Sequence, residues 1–322
     1  MGFSVFRIWT RRFFLKGTAM SKVAFIFPGQ GAQYVGMGKS LYDQCADAKA
    51  VFDQADNILG KDLKNVIFEG PIETLTSTAY SQPAILTTSF AAYRALFRKG
   101  IQPDFVAGLS LGELTAVAVS GALSFEETLK LVDRRAAFME EATRLHEGRM
   151  AAVIGLDKDK IVQACQRAGA EVANYNSPQQ IVITGHAAKV DEACRLLKEA
   201  GAKNVVPLDV SGAFHSSLMQ TAEKKFRQEL ARYSFKDAKV PVVSNVDAKP
   251  AIQAEGIRGN LARQITSSVR WWDAINFMES QGVINFVEIG PGKVLKGLLR
   301  KINSKLQVVN VEKFEDIETV AF

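Results

Sequence analysis

The chain has 322 residues, of which 47% are hydrophobic and 23% charged, the balance of a globular protein with a large core. No apolar run reaches the roughly 20 residues that a membrane-spanning helix needs, so the sequence predicts no membrane partner. The net charge is +6, but four basic residues and no acid lie within residues 1–19. The rest of the chain has a net charge of only about +2, which gives nucleic-acid binding little support.

Residues 1–19 are basic and aromatic, and they precede a second methionine, Met20, just before the first apolar run. The pair Arg11-Arg12 resembles a twin-arginine export signal, but no apolar segment of sufficient length follows it. Two other interpretations are an Arg-rich organellar presequence and a start codon assigned too far upstream. We favour the wrongly assigned start and a cytoplasmic protein, whereas a presequence would place the protein in a mitochondrion or plastid.

Three cysteines, Cys45, Cys165 and Cys194, lie far apart and show no spacing typical of a metal site. This pattern predicts reduced, mostly buried thiols in a reducing compartment.

Apolar strand-like runs alternate with helical patterns along most of the chain. Residues 23–27 (VAFIF) are typical of a buried strand and lead into a Gly-rich loop, in which Gln30 lies between two glycines. A glycine-flanked N–H can come close to a ligand, so this loop is a candidate site.

Helical periodicity follows over residues 35–60. Ser81, two residues before Pro83, predicts the start of a helix over residues 81–99.

Between residues 147 and 210 the pattern changes to β-α-β-β-α-β, which is typical of a ferredoxin-like unit. We therefore predict an α/β protein with two parts. Residues 20–146 and 211–322 form a hydrolase-like body with a mostly parallel sheet, and residues 147–210 form an inserted ferredoxin-like subdomain.

The sequence Gly108-Leu109-Ser110-Leu111-Gly112 lies between a strand pattern and an Ala-rich helical pattern. A serine on a tight strand-to-helix turn needs small neighbours, and backbone N–H groups at the helix start are free to stabilise an oxyanion. The motif therefore predicts an exposed serine nucleophile at Ser110.

The chain has three histidines, and His215 is the best candidate for a base. His146 and His186 lie in positions typical of solvated or structural side chains, whereas His215 follows a small-residue loop at the predicted junction of subdomain and body. Together Ser110 and His215 provide a hydroxyl and a base that can take its proton. Because no acid is evident in the expected order, we predict a dyad in which a main-chain carbonyl or amide group orients the imidazole.

Seven motifs resemble the malonyl-CoA:acyl carrier protein transacylase family in the right order over about residues 21–312. They are Phe27-Pro28-Gly29-Gln30-Gly31-Ala32-Gln33, Gly108-Leu109-Ser110-Leu111-Gly112-Glu113, Arg135 before Phe138-Met139, residues 174–178 (NYNSP), Gly212-Ala213-Phe214-His215, Gln264 before Val269-Arg270-Trp271, and Glu288-x-Gly290-Pro291-Gly292.

The resemblance implies a role for each matching residue. Ser110 would attack the malonyl thioester, and His215 would act first as base and then as acid. The backbone N–H groups of Gln30 and Leu111 would form the oxyanion hole. Arg135 would pair with the malonyl carboxylate. One further residue, Gln264, resembles the position whose main-chain carbonyl holds the catalytic histidine.

The implied reaction is ping-pong transfer of a malonyl group from malonyl-CoA to acyl carrier protein in fatty-acid synthesis. It needs no metal and no other cofactor, and we expect a monomer. Acidic carriers usually favour a basic docking surface, which Lys293, Lys296, Arg300 and Lys301 would provide.

The sequence departs from the family at two positions, with Leu109 where a histidine is frequent and Ala136 where glycine is usual. In addition, Phe214 would crowd a 2-methyl branch on the substrate.

The alternative functions are those of a free-standing acyltransferase of a polyketide synthase, a serine hydrolase or thioesterase, and a non-enzymatic α/β scaffold.

Overall fold

The computed structural model describes residues 22–210 and 212–321. The predicted N-terminal extension, residues 1–19, lies outside the described residues, so its interpretation stays a prediction. None of the helices in the described part of the chain is long and apolar enough to cross a membrane.

Ten strands form two sheets within the described residues. They are β1 (Lys22–Phe27), β2 (Phe105–Gly108), β3 (Gly148–Ile154), β4 (Glu171–Ser177), β5 (Gln180–His186), β6 (Asn204–Pro207), β7 (Val242–Val243), β8 (Pro250–Ala251), β9 (Val283–Ile289) and β10 (Gln307–Val311). The larger sheet has the order β10-β9-β1-β2-β7-β8. Its strands are parallel except for the edge strand β8, so the predicted mostly parallel sheet is confirmed.

The helices of the described residues connect these strands and cover their faces. They are α1 (Lys39–Gln44), α2 (Ala46–Leu59), α3 (Leu63–Glu69), α4 (Ile72–Thr76), α5 (Thr78–Phe97), α6 (Leu111–Ser120), α7 (Phe125–Thr143), α8 (Lys158–Ala168), α9 (Ala187–Glu199), α10 (Gln220–Leu230), α11 (Ala254–Gln264), α12 (Trp271–Ser280) and α13 (Val294–Ile302).

Two helix predictions were wrong in their limits. The helix expected over residues 35–60 is divided into α1 and α2, because Cys45 between them has an extended backbone. The helix expected to begin at Ser81 begins at Thr78, and Pro83 lies inside it. Proline removes a helical hydrogen bond, but α5 is buried on almost every side, so its packing offsets that loss.

The larger sheet is buried on both faces. Phe25 and Phe27 of β1 point into one core with α5, α6 and α7, whereas Ala24 and Ile26 point into a second core with α12 and α13. Because side chains alternate along a strand, a strand between two helical layers must be apolar at every position. This explains the continuous VAFIF run.

The second sheet has the order β4-β5-β3-β6 and is antiparallel throughout. One of its faces packs on α8 and α9 through residues such as Val153 and Ile183. Met150 and Val182 lie on the opposite face and join the core of the larger sheet. The small sheet therefore lies against the body and supplies one wall of the cavity between them.

Candidate active site

Ser110 lies on the turn between β2 and α6, with a positive φ of 52° that is rare for a residue with a side chain. The neighbouring glycines make this turn possible. A Cβ atom at Gly108 would lie 1.9 Å from the carbonyl carbon of Gly112, and a Cβ atom at Gly112 would lie 2.1 Å from the carbonyl oxygen of Phe27. Only hydrogen fits at either position, which is the physical basis of the Gly-x-Ser-x-Gly spacing.

Two buried amide side chains hold the backbone of Ser110 in this conformation. The Ser110 N–H donates to Asn245 Oδ1 at 2.7 Å, and Asn245 Nδ2 donates to the Gly108 carbonyl at 2.7 Å. On the other side, Gln264 Nε2 donates to the Ser110 carbonyl at 2.9 Å. A sparsely populated backbone conformation persists only where its surroundings over-determine it, and these bonds do so.

The imidazole of His215 lies between Ser110 and Gln264. His215 Nε2 is 2.8 Å from Ser110 Oγ, and His215 Nδ1 is 2.9 Å from the Gln264 carbonyl oxygen. Because a carbonyl can only accept, Nδ1 carries the proton and leaves Nε2 to accept from the serine hydroxyl. Burial, with a further effect of the Arg135 charge, lowers the pKa of His215 to about 4. The ring is therefore neutral at physiological pH.

Arg135 of α7 is 1% exposed and points into the same cavity. Its Nη1 donates to Gln82 Oε1 at 2.6 Å, and its Nη2 donates to Gln264 Oε1 at 2.9 Å and to Ser110 Oγ at 3.2 Å. Burial lowers the pKa of Arg135 to about 10, so the guanidinium keeps its charge at neutral pH. Within the described residues, Arg135 Nε has no hydrogen-bond partner. The site thus holds a buried cation beside a serine hydroxyl.

The adjacent Arg134 has a different environment. It is exposed, and its guanidinium lies 4.8 Å from the centre of the Phe138 ring. Neighbouring helical residues point about 100° apart, so only one of the two arginines can face the cavity.

The cavity around Ser110 has a volume of about 250 Å³ and lies between the body and the small sheet. Gln30, after β1, and Leu111, the first residue of α6, both line it beside Ser110. The N–H groups in the first turn of a helix have no partner within the helix, so that of Leu111 is available to a ligand. The remaining wall is mainly apolar and amide side chains, among them Met139, Met150, Val182, Leu208, Phe214, Asn174 and Asn176. The exposed carboxylate of Asp209 also lines the cavity.

The basic residues of the predicted carrier surface lie on or beside α13, at the edge of this cavity. Val294 and Leu298 of α13 line the cavity, while Lys293, Arg300 and Lys301 are exposed. A negatively charged partner that docks there would therefore lie near the entrance to the site.

The other two histidines, His146 and His186, do not line the cavity, and their ring centres lie 5.5 Å apart. Within residues 22–210 and 212–321, no group of three or more histidine, cysteine or acidic side chains is arranged to hold a metal ion. That the reaction needs no metal stays a prediction.

Sequence reasoning assigned no role to three side chains of the site: Gln82, Glu113 and Asn245. Glu113 is 2% exposed, and its Oε2 accepts from Gln264 Nε2 at 2.6 Å and from the Asn245 N–H at 3.2 Å. Burial raises the pKa of Glu113 to about 7. Each residue offered a weak signal, since Glu113 ends the serine motif, Gln82 precedes a proline and Asn245 follows a strand of the parallel sheet.

Comparison with known proteins identifies the family. The sequence profile described as "Acyl transferase domain" matches residues 24–315. The chain is 47% identical over 304 residues to malonyl CoA-acyl carrier protein transacylase of Bacillus subtilis (strain 168), covering 93% of this chain and 96% of the relative. The chain belongs to the malonyl CoA-acyl carrier protein transacylase family. The resemblance drawn from the seven motifs is therefore confirmed, and the protein is an acyltransferase.

Solved structures of the family agree with this assignment. The enzyme from Streptococcus pneumoniae is 46% identical with a TM-score of 0.89, and the match covers 93% of this chain and 100% of that one. A malonyl-transacylase solved in complex with its type II polyketide acyl carrier protein is 38% identical with a TM-score of 0.91, over 93% of this chain and 98% of that one.

Proposed function

We propose that this protein transfers the malonyl group of malonyl-CoA to the phosphopantetheine thiol of an acyl carrier protein, through a malonyl-serine intermediate, and so supplies fatty-acid chain elongation. The observation that carries the proposal is the 3.2 Å separation of Arg135 Nη2 and Ser110 Oγ inside a largely apolar pocket. A neutral acyl group gains nothing from a buried cation beside the nucleophile, whereas the free carboxylate of a malonyl group matches the planar guanidinium.

In the first half-reaction Ser110 Oγ attacks the thioester carbonyl while His215 Nε2 takes the hydroxyl proton. The backbone N–H groups of Gln30 and Leu111 stabilise the oxyanion of the tetrahedral intermediate. The C–S bond then breaks, and His215 returns the proton to the departing sulfur of CoA. The Gln264 carbonyl keeps the ring oriented, and its bond to Nδ1 strengthens as the imidazole becomes positive.

The second half-reaction runs the same steps with the carrier thiol. His215 takes the thiol proton, the thiolate sulfur attacks the malonyl-serine ester, and the proton goes back to Ser110 Oγ as the ester bond breaks. Throughout, Arg135 holds the malonyl carboxylate and so keeps the acyl carbon within reach of both nucleophiles.

The carrier could instead belong to a polyketide pathway. This second candidate rests on the malonyl-transacylase solved in complex with a type II polyketide acyl carrier protein, to which the present chain is 38% identical. Transfer rates to a fatty-acid carrier and to a polyketide carrier, measured side by side, separate the two.

We also propose that residues 147–210 form a ferredoxin-like subdomain inserted into a body of residues 20–146 and 211–322. The β-α-β-β-α-β connection from β3 to β6, together with antiparallel pairing in the order β4-β5-β3-β6, supports this assignment. We further expect a cytoplasmic monomer that needs no cofactor; the free thiols of Cys45, Cys165 and Cys194 agree with a reducing compartment.

The experiment that tests the function is labelling with radioactive malonyl-CoA. We expect a stable acyl label on the unaltered protein, no label on Ser110→Ala, and an undiminished label on Ser120→Ala, which removes a buried hydroxyl at the other end of α6. An undiminished label on Ser110→Ala would overturn the nucleophile assignment. If water accepts the malonyl group as fast as carrier protein does, the protein is a hydrolase.

A further inference from the structure

Glu113 is a buried acidic side chain close to the reacting groups that the mechanism above does not use. It lies in the first turn of α6, where the helix dipole favours a negative charge, and it is 2% exposed. Its carboxylate bonds the side chain of Gln264 and the backbone N–H of Asn245 rather than a cationic group. Burial of a carboxylate costs free energy, so we expect Glu113 to contribute to the site.

The contact with Gln264 determines which way the Gln264 amide faces. Glu113 Oε2 accepts from the Asn245 N–H as well as from Gln264, so this oxygen is an acceptor and requires the Nε2 end of the amide, at 2.6 Å. The Oε1 end is thereby turned toward Arg135, where it accepts from Nη2 at 2.9 Å. A guanidinium can only donate, so the amide lies in the single sense that satisfies both charged groups.

The same orientation serves Ser110. With Nε2 turned toward Glu113, it also donates to the Ser110 carbonyl at 2.9 Å. By contrast, His215 is held by the main-chain carbonyl of Gln264, which does not depend on the sense of the side-chain amide. Because the Asn245 side chain also holds the serine turn by separate bonds, the side-chain bond from Glu113 acts mainly on Arg135, and not on the imidazole.

In its ionised form, Glu113 also supplies negative charge near Arg135. The guanidinium is 1% exposed, and the Glu113 charge counteracts the fall in the pKa of Arg135 that burial causes. Without this charge, the pocket would hold a buried cation with neutral partners only, namely Gln82, Gln264 and Ser110.

We propose that Glu113 is a positioning residue that orients the Gln264 amide and thereby holds the Arg135 guanidinium where it receives the substrate carboxylate. The inference rests on the proposed function, because it concerns recognition of the malonyl group. It makes Glu113 a determinant of specificity for acyl groups that carry a carboxylate, although it touches neither substrate nor nucleophile.

Two substitutions separate the orienting bond from the charge. Glu113→Met keeps the approximate length of the side chain and removes the acceptor, so Gln264 Nε2 loses its shortest hydrogen bond and the amide that accepts from Arg135 is held less firmly. Glu113→Gln is nearly isosteric and offers both a donor and an acceptor, so it no longer imposes one sense on the amide. Glu229→Met is the matched control, because Glu229 is a buried acid on α10 that does not line the cavity.

The assay measures transfer to carrier protein from malonyl-CoA and, in parallel, from acetyl-CoA. For Glu113→Met we expect kcat/KM with malonyl-CoA to fall about 10- to 100-fold through a higher KM, the usual effect of losing a hydrogen bond to a charged group. Transfer from acetyl-CoA, which has no carboxylate for Arg135 to bind, falls much less. We expect Glu113→Gln to change the malonyl-to-acetyl ratio in the same direction by a smaller factor, and Glu229→Met to leave it unchanged.

A double-mutant cycle with Arg135→Ala distinguishes positioning from a general loss of structure. If Glu113 acts through Arg135, Glu113→Met lowers malonyl transfer in the unaltered protein but has almost no additional effect in the Arg135→Ala background. Equal losses with both acyl donors, or the same loss in both backgrounds, would overturn the proposal. Should Glu113→Met fail to fold, the acyl-donor ratio of Glu113→Gln decides.

The proposed function is tested in the same experiment by the unaltered protein and by Ser110→Ala. If the unaltered protein does not transfer malonyl groups, the function itself is wrong. If it transfers them and the Glu113 variants keep the original acyl-donor ratio, only the role of Glu113 is wrong.

Discussion

Replacement of Arg135 by alanine should convert a malonyl-selective enzyme into one that no longer prefers a substrate carboxylate. In the structure the guanidinium is buried, bonds Gln82 and Gln264, and lies 3.2 Å from Ser110 Oγ. In Arg135→Ala the malonyl carboxylate would enter the same largely apolar pocket without its cation. Removal of one partner of a buried, hydrogen-bonded charge pair costs about 2–5 kcal/mol. We therefore expect kcat/KM for malonyl-CoA to fall by a factor of about 30 to about 5000.

Acetyl-CoA should respond differently, because it brings no carboxylate to Arg135. Its kcat/KM should stay within a few-fold of the original value or rise, since the variant no longer buries an unneeded charge. Lysine at this position should give an intermediate malonyl rate, because it keeps the charge and loses the planar two-point geometry. The matched control is Arg134→Ala, one residue away on the exposed side of α7.

The assay follows CoA release from both donors in the presence of carrier protein, at substrate concentrations below KM, after circular dichroism has verified that each variant is folded. A malonyl rate that falls no more than the acetyl rate would refute the carboxylate-binding role of Arg135. Loss of malonyl selectivity in Arg134→Ala would show that the wrong arginine was assigned.

Two further predictions concern the base and the serine turn. Burial and Arg135 lower the pKa of His215 to about 4, so its neutral form persists below the ordinary pKa of histidine. We therefore expect kcat/KM for acetyl-CoA to stay constant down to pH 6 and to fall only near pH 4. A fall centred near pH 6.5 would contradict this. In Arg135→Ala that fall should move to higher pH, because a neighbouring positive charge is lost. Gly112→Ala would place a Cβ atom 2.1 Å from a main-chain oxygen, so urea denaturation should show a loss of several kcal/mol or no folded protein. The control Gly259→Ala, in α11 with nothing within 4 Å of its Cβ, should instead stabilise the protein by about 0.5–1 kcal/mol, and equal effects of the two would contradict the packing argument.

Local patterns in the sequence were sufficient for the sheet and for the serine turn. The apolar run of β1 predicted a buried parallel strand, because both faces of such a strand must be covered. The glycines around Ser110 predicted the strand-to-helix turn for a steric reason that the structure shows directly. The limits of α5 were predicted wrongly. Pro83 can be seen as a signal in the local sequence, whereas the burial that stabilises the helix around it depends on contacts with distant segments.

The sequence by itself determined which residue types are present for acyl transfer, and the family motifs pointed to Ser110, His215, Arg135 and Gln264 in particular. Only the tertiary structure decided how they meet. Ser110 and His215 are 105 positions apart in the chain, and Arg135 and Gln264 are 129 apart, yet each pair is joined by a direct hydrogen bond.

The buried polar network of the site could not be predicted from local sequence patterns, because it too depends on contacts between distant segments. Gln82, Glu113 and Asn245 look like ordinary polar residues in the sequence, and they become a network only when α5, α6 and the loop after β7 pack together. Whether a polar side chain is solvated or buried depends on what covers it, and that is decided by contacts between distant segments. The serine turn is thus a local property of the chain, whereas the orientation of the groups that surround it is a property of the fold.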